Sequence, residues 1–176
     1  MRSLMLFAVA AGLALSGCVA AAAAAGGEVE SIAFETGPCF GACPVYRVNV
    51  GSDGDGLFEG RRFTAVTGER RFRITPEQFR AFARNLAPLR PASGERNHSG
   101  DACASMATDL PSADVTWRAA DGSEQRLHFY FGCDMERNRA MAERLESAPR
   151  LLPIGELIQA GREGRISPEN PADTRR

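Results

Sequence analysis

The sequence contains no lysine: all 21 of its basic residues are arginine, and they are balanced by 22 acidic residues. It also has few aromatic and imidazole groups that bind ligands, with one tryptophan, two tyrosines and two histidines. The formal net charge is −1 and the two signs are interspersed, so the chain lacks the basic surface that nucleic-acid binding requires. Its 176 residues allow one ordinary domain with tails.

The first 17 residues have the features of an export signal. Arg2 precedes an apolar run from Leu4 to Leu15, which is too short to span a bilayer. The stretch Leu15-Ser16-Gly17-Cys18 resembles a bacterial lipobox, in which the cysteine is linked to diacylglycerol and becomes the new N-terminus. We therefore expect residues 1–17 to be removed and Cys18 to be lipidated. The alternative is an ordinary secretory signal with a chance cysteine.

This leader determines the expected location and domain organisation. Val19 follows Cys18, as in lipoproteins forwarded to the outer membrane. We expect the protein to face the periplasm from a lipid anchor in the cell envelope, at the outer membrane, with residues 18–27 as the flexible tether. Residues 28–161 are then the single domain, and the polar residues 162–176 a disordered tail.

Four cysteines remain after Cys18 is assigned to the lipid: Cys39, Cys43, Cys103 and Cys133. An even number in an oxidising compartment favours two disulfides, and spacing alone leaves three pairings open. We favour Cys39–Cys43, because Gly41 lets the short loop fold back, and Cys103–Cys133.

Alternating apolar residues predict strands joined by tight turns. In the first hairpin, a loop at Ser52-Asp53-Gly54 pairs Val48 with Phe58 and Arg47 with Glu59. Segments 63–67 and 70–74 predict a second hairpin around Gly68. In the third, a loop at Ala120-Asp121-Gly122 pairs Val115 with Leu127, Ala113 with Phe129, Arg118 with Glu124 and Asp114 with His128. This register, extended, places Cys133 opposite Asp109.

Helices are expected after the hairpins. Thr75-Pro76-Glu77-Gln78 is a capping box before a helix that ends before Pro88 or Pro91. Asp134 is expected to cap a helix through Leu145, and a short helix follows Pro153. Residues 91–111 are predicted to be loop, with room for a short helix around Cys103. The fold class is therefore α+β, an antiparallel sheet of about six strands with two to three helices on one face.

The segment Cys39-Phe40-Gly41-Ala42-Cys43-Pro44-Val45-Tyr46 resembles the signature of an uncharacterised bacterial family, domain of unknown function 6438. The resemblance continues through Phe58-Glu59-Gly60, where the family more often has tyrosine before Glu-Gly, and Thr108-Asp109-Leu110-Pro111. It implies a small exported or lipid-anchored domain with no assigned reaction.

Two functional readings follow from the cysteines. The favoured one is a non-enzymatic binding or structural module that needs no cofactor, stabilised by disulfides and anchored to the membrane, with an envelope protein or glycan as partner. The alternative uses Cys39-x-x-x-Cys43 as a thiol centre. It is either a redox pair or a Cu(I) site with His98 or His128 as third ligand, since soft thiolates suit Cu(I).

Other candidate sites have a structural interpretation that we prefer. His128 beside Asp114 has the arrangement of a general base, but no nucleophile motif accompanies it and we prefer an ordinary cross-strand ion pair. The arginines at 61, 62, 70, 71 and 73 form a basic edge that suits anionic lipid or glycan, or guards a strand edge against aggregation. Trp117 is expected in the core and not as a sugar platform.

Overall fold

The computed structural model describes residues 28–159, which form one seven-stranded sheet and three α-helices. The strands are β1 (Val29–Thr36), β2 (Val45–Gly51), β3 (Asp55–Arg62), β4 (Gly68–Arg73), β5 (Gly94–His98), β6 (Ser112–Ala119) and β7 (Glu124–Tyr130). The helices are α1 (Pro76–Leu86), α2 (Arg139–Ser147) and α3 (Gly155–Ile158), with short 3₁₀ turns at Ala87–Leu89, Gly100–Ala102 and Ala148–Leu151. The expected signal, Cys18, the tether and the tail lie outside the described residues.

The sheet has the order β4-β3-β2-β1-β6-β7-β5. Every neighbouring pair is antiparallel except β5 and β7, which run parallel. The fold is therefore α+β as expected, but the predicted antiparallel sheet of about six strands is corrected to a seven-stranded mixed sheet.

Two predicted hairpins are confirmed residue by residue. Val48 pairs with Phe58 in the β2–β3 hairpin, and Gly54 in its turn has a φ of 87°. Val115 pairs with Leu127 in the β6–β7 hairpin, where Gly122 has a φ of 81°. Both turns need a left-handed backbone conformation at these positions, which glycine adopts at no steric cost.

The predicted second hairpin is wrong. Segment 63–67 is a connection, and β4 pairs with β3 instead, with Gly60 opposite Gly68. The connection is held elsewhere, because the N–H groups of Ala65 and Val66 donate to carbonyl oxygens of α3 at 3.1 Å each.

Two strands were not predicted. β1 lies at the centre of the sheet, between β2 and β6. Only its pairing with β2 involves a neighbouring strand in sequence, because β6 is far away along the chain. β5 lies inside the predicted loop 91–111, and its sequence Gly-Glu-Arg-Asn-His carries no apolar alternation because it is an exposed edge strand.

The core lies between one face of the sheet and the helices α1 and α2. The capping box at the start of α1 is confirmed: the Gln78 N–H donates to Thr75 Oγ1 at 3.2 Å, and the Thr75 N–H donates to Gln78 Oε1 at 2.9 Å. The largest buried side chains are Trp117, Phe34, Phe58, Phe82, Phe129, Ile32, Leu86, Leu127 and Leu145. Among residues 28–159, no helix is long and apolar enough to cross a membrane.

Candidate functional site

One end of the sheet gathers both disulfides. Thr36 at the end of β1 pairs with Ala113, and Val45 at the start of β2 pairs with Arg62 at the end of β3. Ser112 pairs with Tyr130 at the end of β7. The connections 37–44, 63–67, 99–111 and 131–138 therefore emerge together, and we call this surface the disulfide end.

The first connection is a loop closed by the Cys39–Cys43 disulfide, whose Cα atoms are 5.8 Å apart. Gly41 within it has a φ of 139°, so the fold-back that the sequence predicted needs glycine there. The Phe40 N–H donates to the carbonyl oxygen of Asp109 at 3.2 Å, which joins the loop to the segment before β6. This disulfide and the hydrogen bond constrain the backbone at Phe40.

The second disulfide, Cys103–Cys133, joins the segment before β6 to the residues after β7 across a Cα distance of 5.3 Å. The favoured pairing of the four cysteines is thus the one that the structure contains. The register extrapolated from the hairpin is wrong, however: Cys133 lies opposite Met106 and not Asp109. The antiparallel ladder ends at Tyr130, so the pairing shifts where the chain turns.

Asp134 holds this segment in place and does not cap α2. Its carboxylate accepts hydrogen bonds from the Ser105 N–H at 2.8 Å, the Ala104 N–H at 3.2 Å and the Ser105 hydroxyl at 3.2 Å. These donors, the Ser105 N–H foremost, hold the pKa of Asp134 below its ordinary value. α2 begins five residues later at Arg139, so the predicted cap is corrected to a loop clamp.

Four large apolar side chains of the described chain are exposed, and all four lie at the disulfide end. Phe40 is 87% exposed, Met106 55%, Met135 54% and Phe63 51%. Isolated exposed apolar residues are ordinary, but a group of them on one surface is typical of an interaction site.

Backbone strain is concentrated at the same end. Within residues 28–159, the non-glycine residues with positive φ are Phe63 at 55°, Asp109 at 70° and Asp134 at 42°. Aspartate tolerates this region better than most residues, whereas a bulky phenylalanine there is a conformational outlier. Such strain persists only where surrounding contacts enforce it, and it is frequent at functional sites.

The sequence did not identify these exposed residues as a site. A signal was present for Phe40, since a large apolar residue between two cysteines four positions apart must project from a tight loop. Met106 and Met135 each lie within three residues of a cysteine of the second disulfide, but in sequence alone they are indistinguishable from core methionines.

The other predicted candidates do not converge. His128 Nδ1 lies 2.7 Å from Asp114 Oδ1 on the sheet face opposite the core, in the predicted cross-strand pair. Among the described residues no three His, Cys, Asp or Glu side chains are grouped as a metal site needs, so Cys39, Cys43 and His128 are not brought together. The arginines at 70, 71 and 73 lie on β4, an edge strand, and Trp117 is buried.

The fold and this surface define an α+β module with a disulfide-stabilised apolar end. The chain belongs to the family described as Domain of unknown function (DUF6438), whose model matches residues 30–149, including both disulfides. The resemblance inferred from the Cys39 to Tyr46 motif is thereby confirmed. No curated protein and no solved structure matches the chain significantly.

Proposed function

We propose that this protein is a non-enzymatic, lipid-anchored module of the bacterial cell envelope that binds another envelope protein through its disulfide end. The observation that carries the proposal is that the four exposed large apolar side chains, Phe40, Phe63, Met106 and Met135, all lie at that end of the sheet. Aromatic and methionine side chains are enriched at protein interfaces relative to the rest of the protein surface. A glycan, being mostly polar, offers less for these side chains to bury.

Rigidity supports a binding role. Ordering a mobile loop on association costs free energy, and a loop already held in one conformation avoids that cost. Phe40 is constrained by a disulfide and a backbone hydrogen bond, and Met106 lies beside a segment that the Asp134 carboxylate clamps. The apolar groups are thus presented before the partner arrives.

The position at which residue 28 enters the sheet fits an anchored module. The described chain begins at Glu28, at the end of β1 away from the disulfide end, and β1 has eight residues that span about 26 Å. An anchor at Cys18 therefore joins the domain on the side opposite the proposed binding surface, which leaves that surface accessible to proteins in the periplasm.

Site-specific photo-cross-linking in cells tests the binding surface. The photoreactive residue p-benzoylphenylalanine replaces Phe40 or Met106, and Asp53 or Asp121 in the turns at the opposite end serves as matched control. We expect discrete cross-linked protein bands from the first two positions only. Equal cross-linking from all four positions, or none from Phe40 and Met106, would contradict the proposal.

Cell fractionation tests the anchor. We expect the unaltered chain to partition with outer membranes and to incorporate labelled fatty acid, and the Cys18→Ser variant to lose both properties. If Cys18→Ser still partitions with membranes and the unaltered chain takes up no label, the anchor is refuted while the binding surface is not.

The thiol-centred alternative rests on the half-exposed Cys39–Cys43 pair. Thiol titration of the exported chain, before and after reduction, separates it from the module. A structural role predicts no free thiol in the native protein and a large fall in melting temperature on reduction. A Cys39–Cys43 bond that reduces readily while the fold persists, or a tightly bound copper ion, would favour the alternative.

A further inference from the structure

An apolar groove continues from the disulfide end along α2. Leu110, Phe131 and Ala142 line it half-buried, and Met135 lines it as well, which joins the groove to the exposed apolar side chains. Its volume is about 360 Å³. Because a cavity of about 150 Å³ can hold benzene, the groove is large enough for the side chain of a phenylalanine or leucine.

The charged groups around the groove are predominantly acidic. Glu136, Glu143 and Glu146 line it, against one basic residue, Arg139. None of the three carboxylates forms an ion pair within residues 28–159. Burying an unpaired carboxylate under a partner is costly, so a partner that covers this groove must bring positive charge to it.

The length of the groove sets the length of what it binds. Arg139 and Glu146 both line it and are seven residues apart on α2, which corresponds to a rise of about 10 Å along the helix axis. An extended chain advances about 3.3 Å per residue, so about three residues contact the groove directly.

We propose that this groove binds a segment of a partner protein in which one large apolar side chain is flanked by arginine or lysine. The inference rests on the proposed function and specifies its partner. The apolar side chain enters between Leu110, Phe131 and Ala142, and the flanking cations pair with Glu143 and Glu146. An anionic lipid surface is a poorer occupant, because the carboxylates repel it.

Selection of peptides against the disulfide-intact full chain tests this inference. A displayed library of random dodecapeptides is the probe, and selected peptides are synthesised with a fluorophore for polarisation measurements. We expect the enriched peptides to carry arginine or lysine next to leucine, methionine or an aromatic residue. Glu143→Arg/Glu146→Arg should raise their Kd at least tenfold, as should Ala142→Arg, which fills the groove.

A matched control separates the groove from overall charge. Glu69→Arg/Glu95→Arg makes the same change in net charge on the edge strands β4 and β5, and should change Kd by less than about twofold. All variants are first compared by melting temperature, and the two Glu→Arg pairs alter exposed residues only.

Several results would overturn the inference. They are enrichment of acidic or purely polar peptides, no enrichment, Kd values insensitive to the groove variants, and tight binding of anionic vesicles by the Cys18→Ser full chain. Binding that appears only after residues 160–176 are deleted would assign the groove to the chain's own C-terminal segment.

Cross-links from position 40 that persist in the Glu143→Arg/Glu146→Arg variant would refute the groove and retain the proposed function. If peptides bind in the groove but position 40 of the otherwise unaltered chain gives no cross-links in cells, the result would count against the proposed function.

Discussion

Removal of the Cys103–Cys133 disulfide is the sharpest test of how the disulfide end is stabilised. The two disulfides close loops of very different length, with sequence separations of 30 and 4. In the chain-entropy treatment the longer loop contributes about 3.6 kcal/mol at 25 °C and the shorter one about 2 kcal/mol. The loop lengths alone therefore predict that removing Cys103–Cys133 lowers the free energy of unfolding more than removing Cys39–Cys43 does.

Thermal unfolding converts these figures into a measurement. For a domain of this size, 1 kcal/mol shifts Tm by about 4 °C. We expect Cys103→Ala/Cys133→Ala to melt about 14 °C below the unaltered chain and Cys39→Ala/Cys43→Ala about 8 °C below it, followed by circular dichroism. Removing both disulfides should give nearly the sum, if the two loops act independently.

Two results would refute this reasoning. One is a larger loss from the Cys39–Cys43 pair than from Cys103–Cys133, which would mean that the short loop is coupled to the core more tightly than its length implies. The other is a Cys103–Cys133 variant within about 3 °C of the unaltered chain. In that case the Asp134 hydrogen bonds alone would suffice to hold the segment that leads into β6.

Three further predictions concern single residues. A Cβ at Gly132 would lie 2.1 Å from the Ala107 carbonyl oxygen, so Gly132→Ala should lower Tm, whereas Gly155→Ala, with open space around it, should not. Because the pKa of Asp134 is lowered on folding, its contribution is present above the unfolded pKa of about 3.9 and is lost as pH falls through the lower folded value. The urea midpoint difference between the unaltered chain and Asp134→Ala should thus be larger at pH 7 than at pH 3, and equal differences would exclude the carboxylate as the clamp. Thr75→Ala removes the α1 cap and should cost about 1 kcal/mol in urea unfolding, while Thr75→Ser should cost less.

The parts of the fold that local sequence determines were predictable. In the β2–β3 and β6–β7 hairpins, one strand register satisfies the tight turn, the alternating apolar pattern and the pairing of opposite charges. Each hairpin is therefore specified within about 20 residues. The same holds for α1, where the capping box and the apolar spacing mark one helix start.

The parts that depend on distant partners were not predictable. The place of β1 beside β6 requires pairing between residues about 80 positions apart, and no local pattern records it. β5 is exposed and polar, so its pairing with β7 rests on backbone hydrogen bonds that any sequence can form. Segment 63–67 resembles a strand in sequence, but Phe63 adopts a positive φ that ends β3 there.

The candidate site likewise has one part that the sequence predicted and one part that it did not. The cysteine pairing was favoured from the sequence because each pair is close through a short loop or an adjacent hairpin. The gathering of Phe40, Phe63 and Met106 was not, because it follows from strand order and not from any one motif.

The strain and the disulfides at one end have a common consequence for the proposed function. A left-handed Phe63 and the exposed Phe40 are each unfavourable for the isolated domain, and the two disulfides at that end offset such costs by constraining the unfolded chain. Disulfides form after export and are rare in a reducing cytoplasm. On the proposed function, the apolar end is therefore fully organised only in the compartment where its partner is found, and the chain is less able to present it before export.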